Sequence, residues 1–214
     1  MIWSLNEVDA TGRKAARGAG LPWGAAEEAG RAARWLAERG LPGPEALAGL
    51  LTALDGADPA AHAPRLVDGV WQADPGPLSP LAAGAALWDR AAERAATPIR
   101  LGPCLWPVLV LPYAAWIAQA RSSPFSLSWG GTHAVIDHDG TLHLGPCQPL
   151  LPRAEALALS EDGAPTAPPR PLRSEAEIAP EAAARLETLG HRTYAPATEE
   201  SRASGAGAGL TDND

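Results

Sequence analysis

Small and apolar residues recur every three or four positions through the first half of the chain, a spacing that favours amphipathic helices. Ser4 and Glu7 begin the first helix with an S-x-x-E pattern, typical of a capping box in which each side chain binds a free backbone amide. Pro22 and Gly40 mark the start and end of the second helix. The pattern predicts four helices, over residues 5–17, 22–39, 44–54 and 80–96.

From Pro98 onward the helical spacing gives way to short apolar runs that are bounded by turn residues. Strands are predicted at 99–101, 125–129, 132–138, 141–145 and 156–159, and a short apolar helix at 112–120. Gly130-Gly131 forms a turn, and Asp139-Gly140 is typical of a two-residue hairpin loop. In that register, position 138 faces 141 and position 136 faces 143. We therefore expect an α+β fold: an N-terminal helical layer, a small antiparallel β-meander, and a C-terminal helix plus tail.

The last quarter of the chain is predicted to contain a linker, one helix and a tail. Proline and glycine are frequent between Asp162 and Pro171, which is typical of a linker. Ser174 and Glu177 form a second capping-box pattern and predict a helix that ends near Leu189. The expected organisation is a helical region (1–97), a β-meander region (98–160), a Pro-rich linker (161–173), and a C-terminal helix with a Gly-rich tail (174–214), together forming one compact domain.

Composition and charge exclude several classes of protein. With 17 basic and 25 acidic residues, the chain has a net charge of −8. It lacks the cationic surface on which nucleic-acid binding depends. The longest apolar region, 105–118, is too short to span a bilayer and is interrupted by two prolines. We also expect a cytoplasmic protein, because the N-terminus does not resemble a secretory signal and two cysteines make no disulfide framework.

Three histidines and one cysteine near the predicted hairpin have the residue types of a metal site. They are His133, His138, His143 and Cys147. The predicted register places His138 and His143 on one face and His133 on the other, so three ligands would converge only through a bulge. We therefore expect no metal site and ordinary surface or core histidines.

The two cysteines, Cys104 and Cys147, allow three interpretations. They could form a redox pair, or one of them could be a nucleophile activated by a neighbouring histidine. Burial as small apolar residues after a Gly-Pro turn is favoured, since cysteine is among the most frequently buried residues.

Two glycine-rich breaks remain, one near each end of the chain. The first, 18–20, precedes the second helix and is flanked by Lys14 and Arg17, which suits an anion at a helix N-terminus. Glu27 and Glu28 lie one turn farther on and weaken that site, so an ordinary helix–helix corner with solvated charges is favoured. The second, 205–209, fits no phosphate-loop or dinucleotide pattern. That tail is either ordered against the body of the protein or frayed.

These segments carry a resemblance to a bacterial family known only as a domain of unknown function. The similar residues are S-L-N-E at 4–7, K-A-A-R-G-A-G at 14–20, W-G at 23–24, A-E-E-A-G at 26–30, W-L at 35–36, E-S-R at 200–202 and the end of the chain from 205 to 214. The resemblance implies that the tail is part of the protein. It implies no reaction, cofactor, substrate or catalytic residue.

One hypothesis is an enzyme, or an enzyme subunit, acting on a small anionic metabolite in a cleft between the first break and the tail. Arginine would bind the anion and a carboxylate would be the general acid or base. The ligand-binding candidates are Lys14, Arg17, Trp23, Arg202, Gly205, Gly207 and Gly209, and the catalytic candidates are Glu28, Glu200 and Asp212.

The alternative hypothesis is a non-catalytic accessory or scaffold protein that binds a protein partner. Eight tryptophans are many for a chain with one phenylalanine, and tryptophan is enriched at binding hot spots. Trp3, Trp71 and Trp106 lie outside the strongly periodic helices and are the candidate anchors, unless they fill the core. The sequence shows no cofactor signature, and whether the protein is an enzyme stays open.

Overall fold

The fold is α+β, and a computed structural model describes it for residues 1–91, 98–161 and 163–194. The helices in these ranges are α1 (Leu5–Gly18), α2 (Trp23–Glu38), α3 (Gly43–Ala53), α4 (Pro80–Asp89), α5 (Leu111–Arg121) and α6 (Pro180–His191), with short 3₁₀ helices at Pro59–His62 and Pro107–Val110. The strands are β1 (Ile2–Ser4), β2 (Arg65–Val67), β3 (Val70–Gln72), β4 (Ile99–Leu101), β5 (Cys104–Leu105), β6 (Phe125–Trp129), β7 (Thr132–Ile136), β8 (Leu142–Leu144), β9 (Arg153–Ala154), β10 (Leu157–Ser160) and β11 (Glu175–Glu177).

The predicted start of the helical layer is confirmed. The Ser4 amide donates to Glu7 Oε2 at 2.7 Å and the Glu7 amide donates to Ser4 Oγ at 3.2 Å, which completes the capping box. Helices α1 and α2 pack closely because glycines face each other between them. A Cβ built on Gly12 would lie 3.3 Å from the Gly30 Cα, and one built on Gly30 would lie 2.6 Å from the Asp9 carbonyl oxygen.

The predicted helix start at Ser174 is wrong. Residues 175–177 form β11, which pairs antiparallel with β1 so that Trp3 faces Ala176. Helix α6 begins only at Pro180, where the Ala179 amide donates to Glu45 Oε1 at 2.9 Å. The local capping pattern is overridden here because residues 175–177 pair with β1, and Trp3 and Ala176 are 173 positions apart in the sequence. No local pattern indicates such a partner.

In the described part of the chain, the main sheet has seven strands in the order β2-β3-β4-β10-β6-β7-β8. Strands β6, β7 and β8 form the antiparallel meander that was predicted. Strand β10 inserts between β4 and β6, and β3 pairs with β4 in parallel, so the sheet is mixed and larger than predicted. The hairpin of β2 and β3 was not predicted, although its loop, Asp68-Gly69, is a typical hairpin dipeptide.

The predicted register at Asp139-Gly140 is wrong by one residue. The loop runs from 137 to 141 and is closed by the Asp137 amide, which donates to the Thr141 carbonyl oxygen at 2.9 Å. His143 therefore pairs with Val135. Because alternate residues share a face, His133 and His143 lie on the same face, and His138 lies in the loop.

The two faces of this sheet have different environments. On one face, α5 packs on β6 and β7, and Phe125 and Leu127 are buried in the core. On the opposite face, residues from 163 to 170 run over one half of the sheet. There a Cβ on Gly163 would lie 3.1 Å from the Ser126 Cβ, and the Arg170 amide donates to the Leu142 carbonyl oxygen at 2.8 Å. On the other half of that face Arg100 and His133 are exposed, so this half is open among the residues that the structure describes.

Candidate functional site

A row of five residues crosses the open half of the sheet. The strand registers pair Val70 with Arg100, Arg100 with Ala158, Ala158 with Ser128, and Ser128 with His133. Paired residues project from the same face of a sheet, so the five side chains share one face. With neighbouring residues of β4, β10 and the β6–β7 turn, they line a groove of about 660 Å³, named here the sheet-face groove.

The polar centre of the groove is a hydrogen-bonded pair, Ser128 and His133. Ser128 Oγ lies 2.9 Å from His133 Nδ1. The hydroxyl donates this bond when the ring proton is on Nε2. Gly130 and Gly131 fix the pairing, because their φ angles of +48° and +78° suit the tight two-residue turn that joins β6 to β7. Ser128 is half-buried and His133 is exposed, so water and solutes can reach the imidazole.

Arg100 supplies the positive charge of the groove. Its side chain is exposed and makes no hydrogen bond or ion pair with the described residues. Strands in a sheet are about 4.8 Å apart, so two strand spacings place the Arg100 backbone roughly 10 Å from that of Ser128. Trp129 also lines the groove, and its indole Nε1 is buried with no hydrogen-bond partner in the described part of the chain.

The sequence reasoning missed this site, although one signal was available. The Gly130-Gly131 turn was recognised, and a two-residue turn at those positions places Ser128 opposite His133. Arg100 had no comparable signal, because strands β10 and β6 join it to Ser128 through pairings between distant parts of the chain.

The first glycine-rich break brings two of the predicted site residues together. The Arg17 guanidinium lies over the Trp23 ring, 4.7 Å from its centroid, and also donates to the Leu21 carbonyl oxygen. Lys14 is exposed beside α6, where a Cβ on Gly190 would lie 3.5 Å from the Lys14 Cβ. At least one N–H group of the Arg17 guanidinium is therefore already used in a hydrogen bond to the backbone of the same corner.

The structure places Glu28 apart from Arg17. Gly30 faces α1, and residues two apart on a helix point in nearly opposite directions, so Glu28 faces away from α1. Glu28 Oε2 instead accepts a hydrogen bond of 3.2 Å from the Tyr113 hydroxyl. Burial, together with the negative charge of Glu28, raises the pKa of Tyr113 well above its ordinary value.

The remaining predicted site residues lie outside the described residues. They are Glu200, Arg202, Gly205, Gly207, Gly209 and Asp212. The cleft between the first break and the tail stays a prediction.

Among the described residues, no three or more His, Cys, Asp or Glu side chains lie together in a way that could hold a metal ion. His143 Nε2 lies 2.9 Å from Asp137 Oδ2, and its Nδ1 lies 2.9 Å from the Ala167 carbonyl oxygen. Burial opposes the charge on this imidazole, but these two acceptors outweigh it and raise the pKa of His143.

Neither Cys104 nor Cys147 is in a disulfide, and burial raises the pKa of Cys104 to about 12.

The tryptophans differ from the predicted set of exposed anchors. Trp3 is only 7% exposed because β1 pairs with β11 and turns the indole into the core. Trp71 and Trp106 are half-buried and pack against the core. Trp23, at 66% exposure, is the most open tryptophan of the described residues.

A second cavity, of about 250 Å³, lies between α4, α5 and the sheet and is mainly apolar. Two arginines border it, and both are engaged. Arg121 pairs with Glu161 at 3.1 Å, and the Arg90 guanidinium lies 5.5 Å from the centroid of the Trp71 ring. Polar groups that could orient a ligand are therefore scarcer here than in the sheet-face groove.

No helix in the described ranges combines the length and the apolar character that crossing a membrane requires.

The comparison with curated proteins gives no match. A family model described as "Protein of unknown function (DUF3726)" matches residues 3–70, which run from β1 through α1, α2 and α3 to the first residue of β3. This match confirms the predicted resemblance to a domain of unknown function over the first third of the chain. The matched segment contains helices α1, α2 and α3.

Proposed function

We propose that the protein acts on a small anionic metabolite and binds it in the sheet-face groove. The observation that carries this proposal is the cross-strand row that sets Arg100 on the same sheet face as the hydrogen-bonded pair of Ser128 and His133, two strands away from Ser128. A positive charge and a polar pair on one face supply two different contacts for one ligand. Side chains on paired strands are also held more rigidly than side chains on loops.

The dimensions and charge of the groove suit a metabolite. Sites for small molecules typically measure about 300–1,000 Å³, and the groove measures about 660 Å³. Because no group among the described residues binds the Arg100 side chain, its donors can bind a carboxylate or phosphate, which guanidinium holds with two parallel hydrogen bonds. Ser128 and His133 then contact the part of the ligand that carries no charge.

Calorimetric titration with succinate and with inorganic phosphate tests the proposal. A hydrogen bond to a charged group contributes about 1.5–3 kcal/mol, so Arg100→Ala should weaken binding of the preferred anion by roughly 10- to 150-fold. Arg65→Ala is the matched control, because Arg65 is an exposed arginine on the same sheet but does not line the groove. Equal affinity of wild type and Arg100→Ala, or an equal loss in both variants, would contradict the proposal.

The cleft predicted between the break at 18–20 and the tail is a second candidate site for binding the anion. What supports it is the guanidinium of Arg17, held against the exposed Trp23 at the start of α2. The site also needs Arg202 and Asp212 from the tail. If it binds the anion, Arg17→Ala and Arg202→Ala should each reduce affinity while Arg100→Ala leaves it unchanged.

Binding of a protein partner is the second candidate function, and the exposure of Trp23 favours it. Arg17 covers one face of this indole, and the ring is otherwise open enough to leave the residue 66% exposed. A protein that co-purifies with tagged wild type and is lost with Trp23→Ala supports this function. Equal retention by both, or a clean monomer on a sizing column, counts against it.

A cytoplasmic location and no role in nucleic-acid binding complete the proposal. Support for the first comes from Cys104 and Cys147, which are not joined in a disulfide, as is usual in a reducing compartment. The net charge of −8 supports the second. Fractionation of cells that express the chain, and binding to random-sequence DNA measured at two salt concentrations, test these two statements.

A further inference from the structure

We propose that Ser128 is a nucleophile, that His133 is its general base, and that the groove hydrolyses small esters whose acyl part carries an anionic group. The anionic part of this substrate class rests on the proposed function, since it assigns Arg100 to the anion. The nucleophile rests on a separate observation, the hydrogen bond of 2.9 Å between Ser128 Oγ and His133 Nδ1.

The geometry of the pair suits nucleophilic catalysis. A serine hydroxyl becomes a useful nucleophile when a base within about 2.6–3.2 Å accepts its proton. His133 meets this distance, and its exposed ring can pass the proton on to a leaving group or to water. Ser128 lies on a central strand with β10 on one side and β7 on the other, so its position is held by two sets of strand hydrogen bonds.

The turn next to Ser128 presents backbone to the groove. Gly130 and Gly131 line the groove and present no side chain there. As the two loop residues of the tight turn between Trp129 and Thr132, they have amides outside the strand ladder. We assign these two amides as the donors to the oxyanion that forms on the carbonyl oxygen.

Other serines and histidines on the same sheet face lack this arrangement. Ser126 lies on the same strand but is only 8% exposed, beneath Gly163. His143 has both ring nitrogens engaged, by Asp137 and by the Ala167 carbonyl oxygen. The Ser128 and His133 pair is therefore distinguished by its access to the groove.

The reaction balances with water as the only co-reactant. Ser128 Oγ bonds to the acyl carbon while its proton passes to His133 Nδ1. The ester C–O bond then breaks, and the departing alkoxide takes the proton from His133. In the second half, His133 removes a proton from water, the hydroxide attacks the acyl-serine, and Ser128 Oγ leaves with that proton. The products are a carboxylic acid and an alcohol, and no electron is transferred.

Two probes test the proposal on the full chain. A fluorophosphonate should bond to Ser128 with loss of fluoride, as detected by intact mass and peptide mapping. The mono-p-nitrophenyl ester of succinate should be hydrolysed at least 10-fold faster than p-nitrophenyl acetate, by kcat/KM. Ser128→Ala should abolish the adduct and the hydrolysis, and His133→Gln should slow both at least 10-fold. Circular dichroism confirms that each variant is folded.

Matched variants control for the reactivity of the surface. Ser126→Ala and His138→Ala remove a serine on the same strand and an exposed loop histidine, and both should keep wild-type rates. Arg100→Ala should lower kcat/KM for the succinate ester at least 10-fold and leave the acetate within 2-fold.

The outcomes separate this proposal from the proposed function. Absence of an adduct on Ser128 overturns its assignment as the nucleophile, as does hydrolysis by Ser128→Ala that still exceeds the rate measured without protein. Anion binding that depends on Arg100 would in either case still support the proposed function. An adduct on Ser128 with no effect of Arg100 on the succinate ester supports the nucleophile and overturns the anionic substrate class.

Discussion

The close approach of α1 and α2 makes Gly30→Ala a sharp test of how the helical layer is packed. The added Cβ would lie 2.6 Å from the Asp9 carbonyl oxygen and 3.1 Å from the Arg13 amide nitrogen. Both are backbone atoms of α1 and cannot rotate away, so the two helices must separate. Overpacking of this kind costs about 1–3 kcal/mol, and backbone neighbours place the cost near the upper end.

Alanine also favours a helix over glycine by about 1 kcal/mol, which offsets part of that cost. We therefore expect Gly30→Ala to lower the free energy of unfolding by about 2 kcal/mol. Gly24→Ala is the control, because Gly24 lies in the same helix and a Cβ there would have no neighbour within 4 Å. It should raise stability by about 0.5 kcal/mol.

Urea unfolding and thermal melting of the two variants measure this difference. For a chain of this length about 1 kcal/mol corresponds to 2–4 °C in Tm, so the two melting points should differ by roughly 5–10 °C. The reasoning is refuted if Gly30→Ala is as stable as Gly24→Ala, since the helices would then not be in contact at Gly30.

Three further predictions concern titratable groups. The pKa of His143 is raised in the folded protein, so this histidine stabilises the fold fully at pH values below the ordinary histidine pKa of about 6.5. That stabilisation is lost as the pH rises through the raised pKa. His143→Gln should therefore lower the free energy of unfolding more at pH 5.5 than at pH 8.5. Tyr113→Phe removes the hydrogen bond to Glu28 and should cost about 1–3 kcal/mol in urea unfolding, and an unchanged midpoint would contradict that bond. In thiol titration with a disulfide reagent, half-buried Cys147 should react before Cys104, which should react only on unfolding.

Local patterns predicted the elements of this fold better than their arrangement. The capping box of Ser4 and Glu7 is confirmed because both partners lie within one turn of the helix. The same pattern at Ser174 and Glu177 fails because β11 finds a better partner in β1, far away along the chain. Strand β10 likewise enters the sheet between β4 and β6 through long-range pairing, which no local periodicity encodes.

The candidate site also combines a feature that the local sequence encodes with one that depends on long-range strand pairing. The turn at Gly130-Gly131 was recognised, and it alone determines that Ser128 faces His133. The place of Arg100 depends on the order of the strands and was beyond prediction. At Asp139-Gly140, a loop of five residues instead of two shifts the register by one and brings His133 and His143 to the same face.

Mapping of an anion on the protein by NMR tests the central claim most directly. The ¹⁵N-labelled chain is titrated with succinate, and the backbone amide shifts are followed. Binding in the sheet-face groove predicts the largest shifts over residues 100–102, 128–133 and 156–158, and their loss in Arg100→Ala. Shifts confined to the corner at residues 14–28, or no shift at millimolar succinate, would contradict it.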